Sequence, residues 1–367
     1  MNKQIHKRTF ANLSSDGLDG LRDEYGILNF SPRMAETFCA DPFARSEDAV
    51  QIVGSVDGVV AGSVFSLPLE VRIGKEIHRT AAGCEMTVVE KSRNTQFGLK
   101  LPVSRLGTTP EKFMVGCSQS QMMLKVSEFI GSTIFYSPRL IMLFKSRSVV
   151  EMKMHGLLGK LVQWFVDCGL WFYWRLAKAC ARSALKGYEM VPVTAADEEC
   201  IRAVADIIRG ETPLCSEVHD ERWIKWHLSN SFSENGPLSL TMLRKDGKPV
   251  AFYMTKRRFY EQASHRGFKN VWLGSVVEWG TLPEHANILN PMLMMAAASF
   301  AGICDAVELV ATETKVEKHF RKWGWRHVGD SNYVFKVADD SALAGNEEMC
   351  KRENWRLRPA MGDNGMS

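Results

Sequence analysis

Several things are missing from this 367-residue sequence, and each absence removes a class of protein. There is no excess of one charge: 46 basic against 42 acidic residues leave a net of +4, so nothing in the balance points to a nucleic-acid partner. None of the nine cysteines stands at C-x-x-C or zinc-ligand spacing, and their number is odd. They read as free thiols buried in apolar surroundings in a reducing cytosol, and no metal is expected. The basic start, Met1 to Arg8, is followed by neither an apolar core nor a small-residue cleavage site, so no secretory signal is read. An unbroken apolar run of about 20 residues, the length a spanning helix needs, is also missing. Residues 157–174 come nearest, but Lys160, Gln163 and Asp167 interrupt them, and a central Asp costs about 2.5–3.5 kcal/mol in a bilayer. The preferred reading of this stretch is a helix buried between domains. A second reading lays 157–186 on an anionic membrane surface, since Lys153 and Lys160 precede its aromatic part and Arg175, Lys178, Arg182 and Lys186 follow it. The expected location is cytoplasmic, with peripheral contact to the inner membrane face under that second reading.

What is present is an α/β pattern that runs twice. Residues 17–46 read as short helices and turns. Val50 to Val56 and Val59 to Phe65 are β-rich runs around Asp57-Gly58, a hairpin signal, and the second extends past Pro68 to Ile73. Glu76 to Val89 is a third extended segment. A polar loop, a helix over 98–106, a strand at 113–117, a helix over 119–130 and a strand at 133–144, broken at Ser137-Pro138, follow it. Helices occupy 147–185. The order then returns. Tyr188 to Val193 is a strand, and Ala195 to Arg209 is a helix with Thr194 as N-cap. Residues 221–229 form a short helix. A hairpin turns at Asp246-Gly247, and a strand covers 270–279. The remainder is a loop, a helix over 288–302, a strand at 306–311, a helix over 313–322 and a closing extended pair at 326–337.

Residues 88–101, Val-Val-Glu-Lys-Ser-Arg-Asn-Thr-Gln-Phe-Gly-Leu-Lys-Leu, are the most informative stretch. A β-branched strand stops, a polar loop follows, and an apolar helix begins. Unpaired N–H groups at such a helix start, with the positive end of its dipole, suit a pyrophosphate. The order Arg93-x-x-Gln96-x-Gly98 resembles the Arg/Gln-x-x-Gly-x-Gly/Ala loop of the GNAT acyltransferase superfamily, with Gln96 where that family usually has glycine. Phe320-Arg-Lys-Trp-Gly-Trp-Arg resembles the Phe-Tyr-x-Lys-x-Gly-Phe signature closing the fourth GNAT helix, with Gly324 as a left-handed cap and Trp325 starting the next strand. The resemblance implies an α/β protein of two tandem GNAT-like domains, each a twisted, mostly antiparallel mixed sheet flanked by helices. The divisions are 1–146 for the acyl-CoA-binding domain, 147–186 for a helical connector, 187–338 for a degenerate second domain and 339–367 for a tail.

The resemblance also implies a chemistry. Acetyl-CoA, or another acyl-CoA, is the co-substrate. Val88, Arg93, Asn94, Thr95, Gln96, Phe97, Gly98 and Leu99 would hold it, and the Val88 N–H would polarise the thioester carbonyl. Acyl transfer needs a base for the incoming amine and an acid for the departing thiolate. Glu85, among Gly83, Cys84 and Met86, is the favoured base, and Glu90 beside Lys91 reads as surface. Ser118 is a candidate acid, with Ser120 near it and Tyr136 as the alternative. In the second half, the loop Thr281-Leu-Pro-Glu-His-Ala-Asn287 lacks glycine and loses a donor at Pro283, so it should bind acyl-CoA poorly. Glu278, in an apolar strand end, is a candidate substrate contact, either with its pKa raised by burial or paired with a nearby Arg. His285 and Glu284 are weaker ones, and His319 reads as solvated. In the tail, Trp355 is expected to dock on a domain face. The ending resembles tails of GNAT-like proteins linked to bacterial surface-polysaccharide genes.

The leading expectation is acetyl transfer to an amine, on a small molecule, an amino sugar or a surface-glycan precursor. The alternatives are a catalytically inactive GNAT-fold binding protein and a FemAB-like aminoacyl transferase.

Overall fold

The computed structural model describes residues 2–12, 20–29, 31–147, 156–231, 236–261 and 270–362, without the side chains of Asn94, Thr95 and Leu157. Parts of the sequence readings over 17–46, 147–185 and the tail's end therefore lie outside the described residues.

The chain divides into two compact units that are not contiguous in sequence. Unit 1 takes residues 1–136, 212–234 and 332–367; unit 2 takes 137–211 and 235–331. This cuts the chain differently from a sequential division at 146 and 187, because pairing partners far apart in sequence decide compactness.

Unit 1 is built on a sheet of β1 (Lys3–Thr9), β2 (Ala49–Val56), β3 (Val59–Ile73), β4 (Glu76–Val88), β5 (Phe113–Cys117) and, of the last long strand β13 (Arg326–Val337), residues 332–337. All neighbours are antiparallel except β4 and β5, which are parallel. The sequence reading missed β1, whose alternation is polar and exposed along most of its length. Helix α1 (Pro32–Cys39) starts where Ser31 accepts from the Met34 N–H and Pro32 occupies the first turn. Helices α2 (Phe97–Leu106) and α3 (Gln121–Phe129) follow β4 and β5. Phe38, Leu67, Val71, Phe113 and Tyr333 form the apolar centre.

Unit 2 repeats the plan. Strand β6 (Thr133–Leu143) runs on through Ser137-Pro138 without a break and supplies residues 139–143 as an antiparallel neighbour of β12 (Ala306–Val310). From β12 the sheet continues through β11 (Val271–Thr281), β10 (Lys248–Tyr260) and β9 (Ser239–Lys245) to β7 (Tyr188–Val193). Here too only one pair, β11 with β12, is parallel. Both expected hairpins turn on left-handed Asp-Gly pairs: φ is 50° and 78° at Asp57-Gly58, and 51° and 74° at Asp246-Gly247.

Helix α4 (Gly156–Ala184) leads to β7, and α5 (Glu198–Gly210) begins after Asp197, not Thr194. Thr194 instead donates its hydroxyl to Asp197 Oδ2 at 2.7 Å. The short strand β8 (Cys215–Glu217) and helix α6 (Glu221–Ser229) belong to unit 1. Helices α7 (Leu289–Ala298) and α8 (Thr314–Lys322) flank β12, and Gly324 closes α8 with φ 81°. Phe320 and Trp325 pack there edge to face at 4.8 Å.

Two expectations are corrected. Helix α4 is not enclosed: Leu158, Leu161, Trp164, Phe165, Trp171, Phe172 and Leu176 are exposed, because only a narrow face around Trp174, Ala177 and Ala181 is packed. Of the nine free cysteines, only Cys84, Cys215 and Cys304 are buried; Cys168 and Cys180 sit on that open helix. Burial raises the Cys215 and Cys304 thiols to about 11. Among the described residues no helix is long and apolar enough to cross a membrane.

Candidate active site at the fork of strands β4 and β5

Strand β4 carries a β-bulge. Its register on β3 pairs Cys84 with Phe65 and Thr87 with Ser63, so Glu85 and Met86 together face the single residue Val64. Glu85 adopts φ 46°, a left-handed conformation that a non-glycine residue enters at a cost of about 1–3 kcal/mol. Its carboxylate is exposed.

Just before the bulge, β4 leaves β5. The parallel rungs are Ala81 with Met114 and Ala82 with Val115, although β4 runs on to Val88 and β5 to Cys117. The fork opens at two glycines. A Cβ on Gly83 would fall on the Arg105 guanidinium, and a Cβ on Gly116 would lie 2.6 Å from Gln119 Nε2. Only glycine lets polar groups come this near to the backbone of both arms. Arg105 is buried and reaches Met114 Sδ at 3.1 Å through Nη2.

The lower arm is held from β13. The Ser118 N–H donates to the Asn332 carbonyl at 2.8 Å, the Gln119 N–H to Asn332 Oδ1 at 2.9 Å, and Asn332 Nδ2 to the Gln119 carbonyl at 3.0 Å. This clamp keeps Ser118 left-handed, with φ 52°, and half-buried at the end of β5. Tyr136 lies on β6 and is 46 % exposed. No hydrogen bond joins Glu85 to Ser118 or Tyr136.

Beyond the bulge the Val89 N–H donates to the Ala61 carbonyl at 3.0 Å, toward β3. Successive N–H groups of an extended chain point to opposite edges, so the Val88 N–H faces the open side of the fork. A 3-10 turn over Glu90–Thr95 then carries the chain into α2. Gln96, between turn and helix, has φ 70°. That is the conformation glycine adopts freely, and the Gln96 side chain is exposed. Arg93 is also exposed. Phe97 is fully buried against Ile52, Ala61, Val64 and Leu101, so it anchors the helix and can offer a ligand only its backbone. Gly98 has open space where a side chain would be, and Leu99 is half-buried.

The opposite face of β4 is sealed by the tail. Gly362 lies against Ala82, and its N–H donates to Glu217 Oε2 at 2.8 Å. Glu217 Oε1 takes Trp223 Nε1 at 3.2 Å and lies 3.2 Å from His219 Nε2. A buried carboxylate with these donors acts as a clamp on the tail. Trp355 docks as expected, stacked on Phe335 at 3.9 Å with its Nε1 bonded to the Met349 carbonyl. Sequence reasoning missed Arg105, Asn332 and Glu217; the one local signal was the pair of glycines in strands β4 and β5.

In unit 2 the turn Pro283–Ile288 and α7 match the turn and helix after β4 in length. Glu278 stands four residues before the turn's N-cap Leu282, as Glu85 does before Val89. Glu278 is fully buried, and its Oε1 accepts from the Trp279 N–H at 3.0 Å. His285 Nδ1 lies 3.0 Å from the Tyr188 hydroxyl. His319 is half-buried rather than solvated, and burial lowers its pKa. Among the described residues no cluster of three His, Cys, Asp or Glu could hold a metal.

No protein-family model and no curated protein matches this sequence. Solved structures match it over nearly its whole length. A GCN5-related N-acetyltransferase from Anabaena variabilis ATCC 29413 has a TM-score of 0.53 and 11% identity, covering 92% of this chain and 73% of that one. A conserved protein of Enterococcus faecalis V583, a probable N-acyltransferase, has a TM-score of 0.54 and 10% identity over 92% and 73%. Saccharomyces cerevisiae N-myristoyltransferase with bound myristoyl-CoA has a TM-score of 0.56 and 9% identity over 91% and 82%. At such low identity the likeness speaks for architecture, and it agrees with the strand order and forked sheet: this chain has the GNAT fold, the fold of the GCN5-related N-acetyltransferases and the N-myristoyltransferases.

Proposed function

We propose that this protein is an acyl-CoA-dependent N-acyltransferase, and that the β4–β5 fork of the first of two GNAT-like repeats is its active site. The observation that carries the reading is the fork itself: a left-handed bulge on β4, two strands that part after the Ala82–Val115 rung, and an exposed strand–turn–helix junction in one stretch of chain. The bound myristoyl-CoA of the yeast neighbour makes an acyl-CoA the natural donor. Acetyl is the acyl group we favour, and a primary amine on a small molecule or amino sugar is the acceptor.

In this reading the turn Glu90–Thr95, with Gln96 to Leu99, receives the pyrophosphate. The N–H groups at the start of a helix have no intrahelical acceptor, and the dipole adds positive potential there. The Val88 N–H polarises the thioester carbonyl. The amine nitrogen forms the new C–N bond as the C–S bond breaks. Glu85, exposed on the bulge, takes the amine's proton directly or through water, and Ser118 or Tyr136 returns one to the departing thiolate. The Arg105 guanidinium adds positive charge beside the gap. Glu278, enclosed in unit 2, has no part in this chemistry.

Calorimetry with acetyl-CoA and with a long-chain acyl-CoA tests the reading. Gly98→Trp is the informative variant, because position 98 has open space and the substitution blocks the junction without disturbing the core. The wild type is expected to bind one of the two donors in the low micromolar range, about −8 kcal/mol. The variant is expected to lose that binding while keeping its unfolding temperature. A wild type that binds neither donor overturns the proposal.

A further inference from the structure

Helix α4 presents a face that its own unit does not use. Leu158, Leu161, Phe165, Phe172 and Leu176 follow at spacings of three, four, seven and four residues, which at 3.6 residues per turn makes one stripe. Each is at least half exposed, Phe165 at 66% and Phe172 at 65%. The packed face lies on the other side. There Trp174 stacks on Phe144 at 4.4 Å and bonds the Leu143 carbonyl, while Asp167 Oδ1 accepts the Ser146 N–H at 2.7 Å. The acidic residue that interrupts the apolar run is thus turned away from the stripe.

A basic flank runs between the two faces. Lys160, Arg175, Lys178 and Arg182 share one side of the helix, with Trp164 and Trp171 among them. Arg175, Lys178, Arg182 and Lys145 rim a cleft of about 690 Å³ walled by Phe144, Trp171 and Trp174. Among the described residues that line it, none is acidic. Lys145 is paired with Asp305 at 3.4 Å and Arg175 lies over the Trp171 ring at 4.6 Å, but Lys178 and Arg182 have no ion pair among the described residues.

We infer that α4 lies in the surface of an anionic bilayer, with the stripe among the acyl chains and the cleft around the phosphate of a lipid headgroup. A helix with an apolar-aromatic face and basic residues beside it settles about 5–10 Å into the headgroup boundary. Tryptophans favour that depth. A second copy of the chain fits worse: a two-fold contact sets the same patch against itself and brings like charges together. The inference does not depend on the acyltransfer reading.

Co-sedimentation of the full chain with vesicles tests it. The wild type is expected to pellet with mixed phosphatidylcholine–phosphatidylglycerol vesicles, to stay in solution with phosphatidylcholine alone, and to be released by high salt. At about 1 kcal/mol for each basic residue near such a surface, Lys178→Ala with Arg182→Ala should weaken binding roughly thirtyfold. Phe165→Ser with Phe172→Ser should abolish pelleting with an unchanged unfolding temperature, since both rings are exposed. Four results would overturn the inference. One is a wild type that ignores anionic vesicles. Another is equal binding by the charge-removal variant. The third is a wild-type dimer, seen by sedimentation velocity without lipid, that the stripe variant dissociates. Inorganic phosphate that raises the unfolding temperature while no vesicle is bound would make the cleft a free-phosphate site and overturn it as well.

Discussion

The two forked sheets share a construction and differ at one rung. Counted from the turn that follows each bulged strand, Ala81 of β4 corresponds to Gly274 of β11, Gly83 to Val276 and Glu85 to Glu278; on the parallel neighbour, Met114 corresponds to Val307 and Gly116 to Leu309. In unit 2, Val276 and Leu309 pair and are buried, so the strands stay zipped up to the bulge. The rung below is stitched by Ser275 Oγ donating to Glu308 Oε1 at 2.8 Å. In unit 1 the equivalent positions are two glycines that do not pair, with Arg105 and Gln119 lying over them. The same backbone plan is therefore a packed core in one unit and an opening lined with polar groups in the other. Replacing two apolar side chains by hydrogen removes the packing that holds the rung and lets the Arg105 and Gln119 side chains come up against the backbone.

The sharpest way to break this comparison is to treat the two equivalent glutamates alike. Glu85→Gln is expected to lower kcat by about 10²- to 10⁴-fold, the range for loss of a positioned base, and to leave the unfolding temperature nearly unchanged because the group is exposed. Glu278→Gln is expected to lower the unfolding temperature and spare turnover, because Glu278 is enclosed and bonded to the Trp279 N–H. Steady-state kinetics and thermal melts on the two variants decide it, and reversed effects would move the active site to unit 2.

A second test exchanges the fork residues. Leu309→Ala removes the closing side chain of unit 2 and should cost about 2–5 kcal/mol in denaturant unfolding. Gly83→Val with Gly116→Leu gives unit 1 the closed pair. It displaces the Arg105 guanidinium and should lower kcat/KM about a hundredfold through misplacement of the reacting groups. If the double variant keeps full activity, the opening is not where acyl transfer occurs.

The local features of this site were legible in the sequence. A β-branched run, a polar loop and a helix were read over 88–106, and the structure has a strand, a 3-10 turn and a helix there. Both Asp-Gly hairpins, the Gly324 cap and the short strand at 113–117 depend on neighbours in sequence and were equally visible. What could not be read is non-local. Strand periodicity says that 326–337 is extended but not that Tyr333 pairs with Cys117. Arg105 looks like an ordinary helix-end cation until the missing side chain at Gly83 brings it into the fork. Helix α4 departs from the expected burial because an apolar run does not say which of its side chains find a partner, and its packed face consists mainly of small residues and one tryptophan.

The units should also differ, more mildly, in their response to pH. Unit 1 contains Asp41, whose carboxyl is raised from 3.8 to about 7, chiefly by burial, with the nearby Asp48 adding repulsion. The Phe43 N–H bonds its Oδ1 at 2.8 Å, and Oδ2 has no hydrogen-bond partner. The Phe43 N–H bond and the Arg79 guanidinium, which is paired with Asp48, lower the pKa too little to offset the loss of water. Because the folded value lies above the unfolded one, the native state holds this proton more tightly. The contribution is full below 3.8 and is lost as pH rises through about 7. Unit 1 should therefore weaken between about pH 4 and about pH 7 by an amount that Asp41→Asn abolishes. The variant keeps an acceptor for the Phe43 N–H and cannot ionise, so it should match the wild type at the acid end and exceed it at the alkaline end. Thermal melts of both proteins across that range measure the difference. Parallel curves would show that Asp41 titrates as an ordinary carboxylate and that burial there is relieved by water.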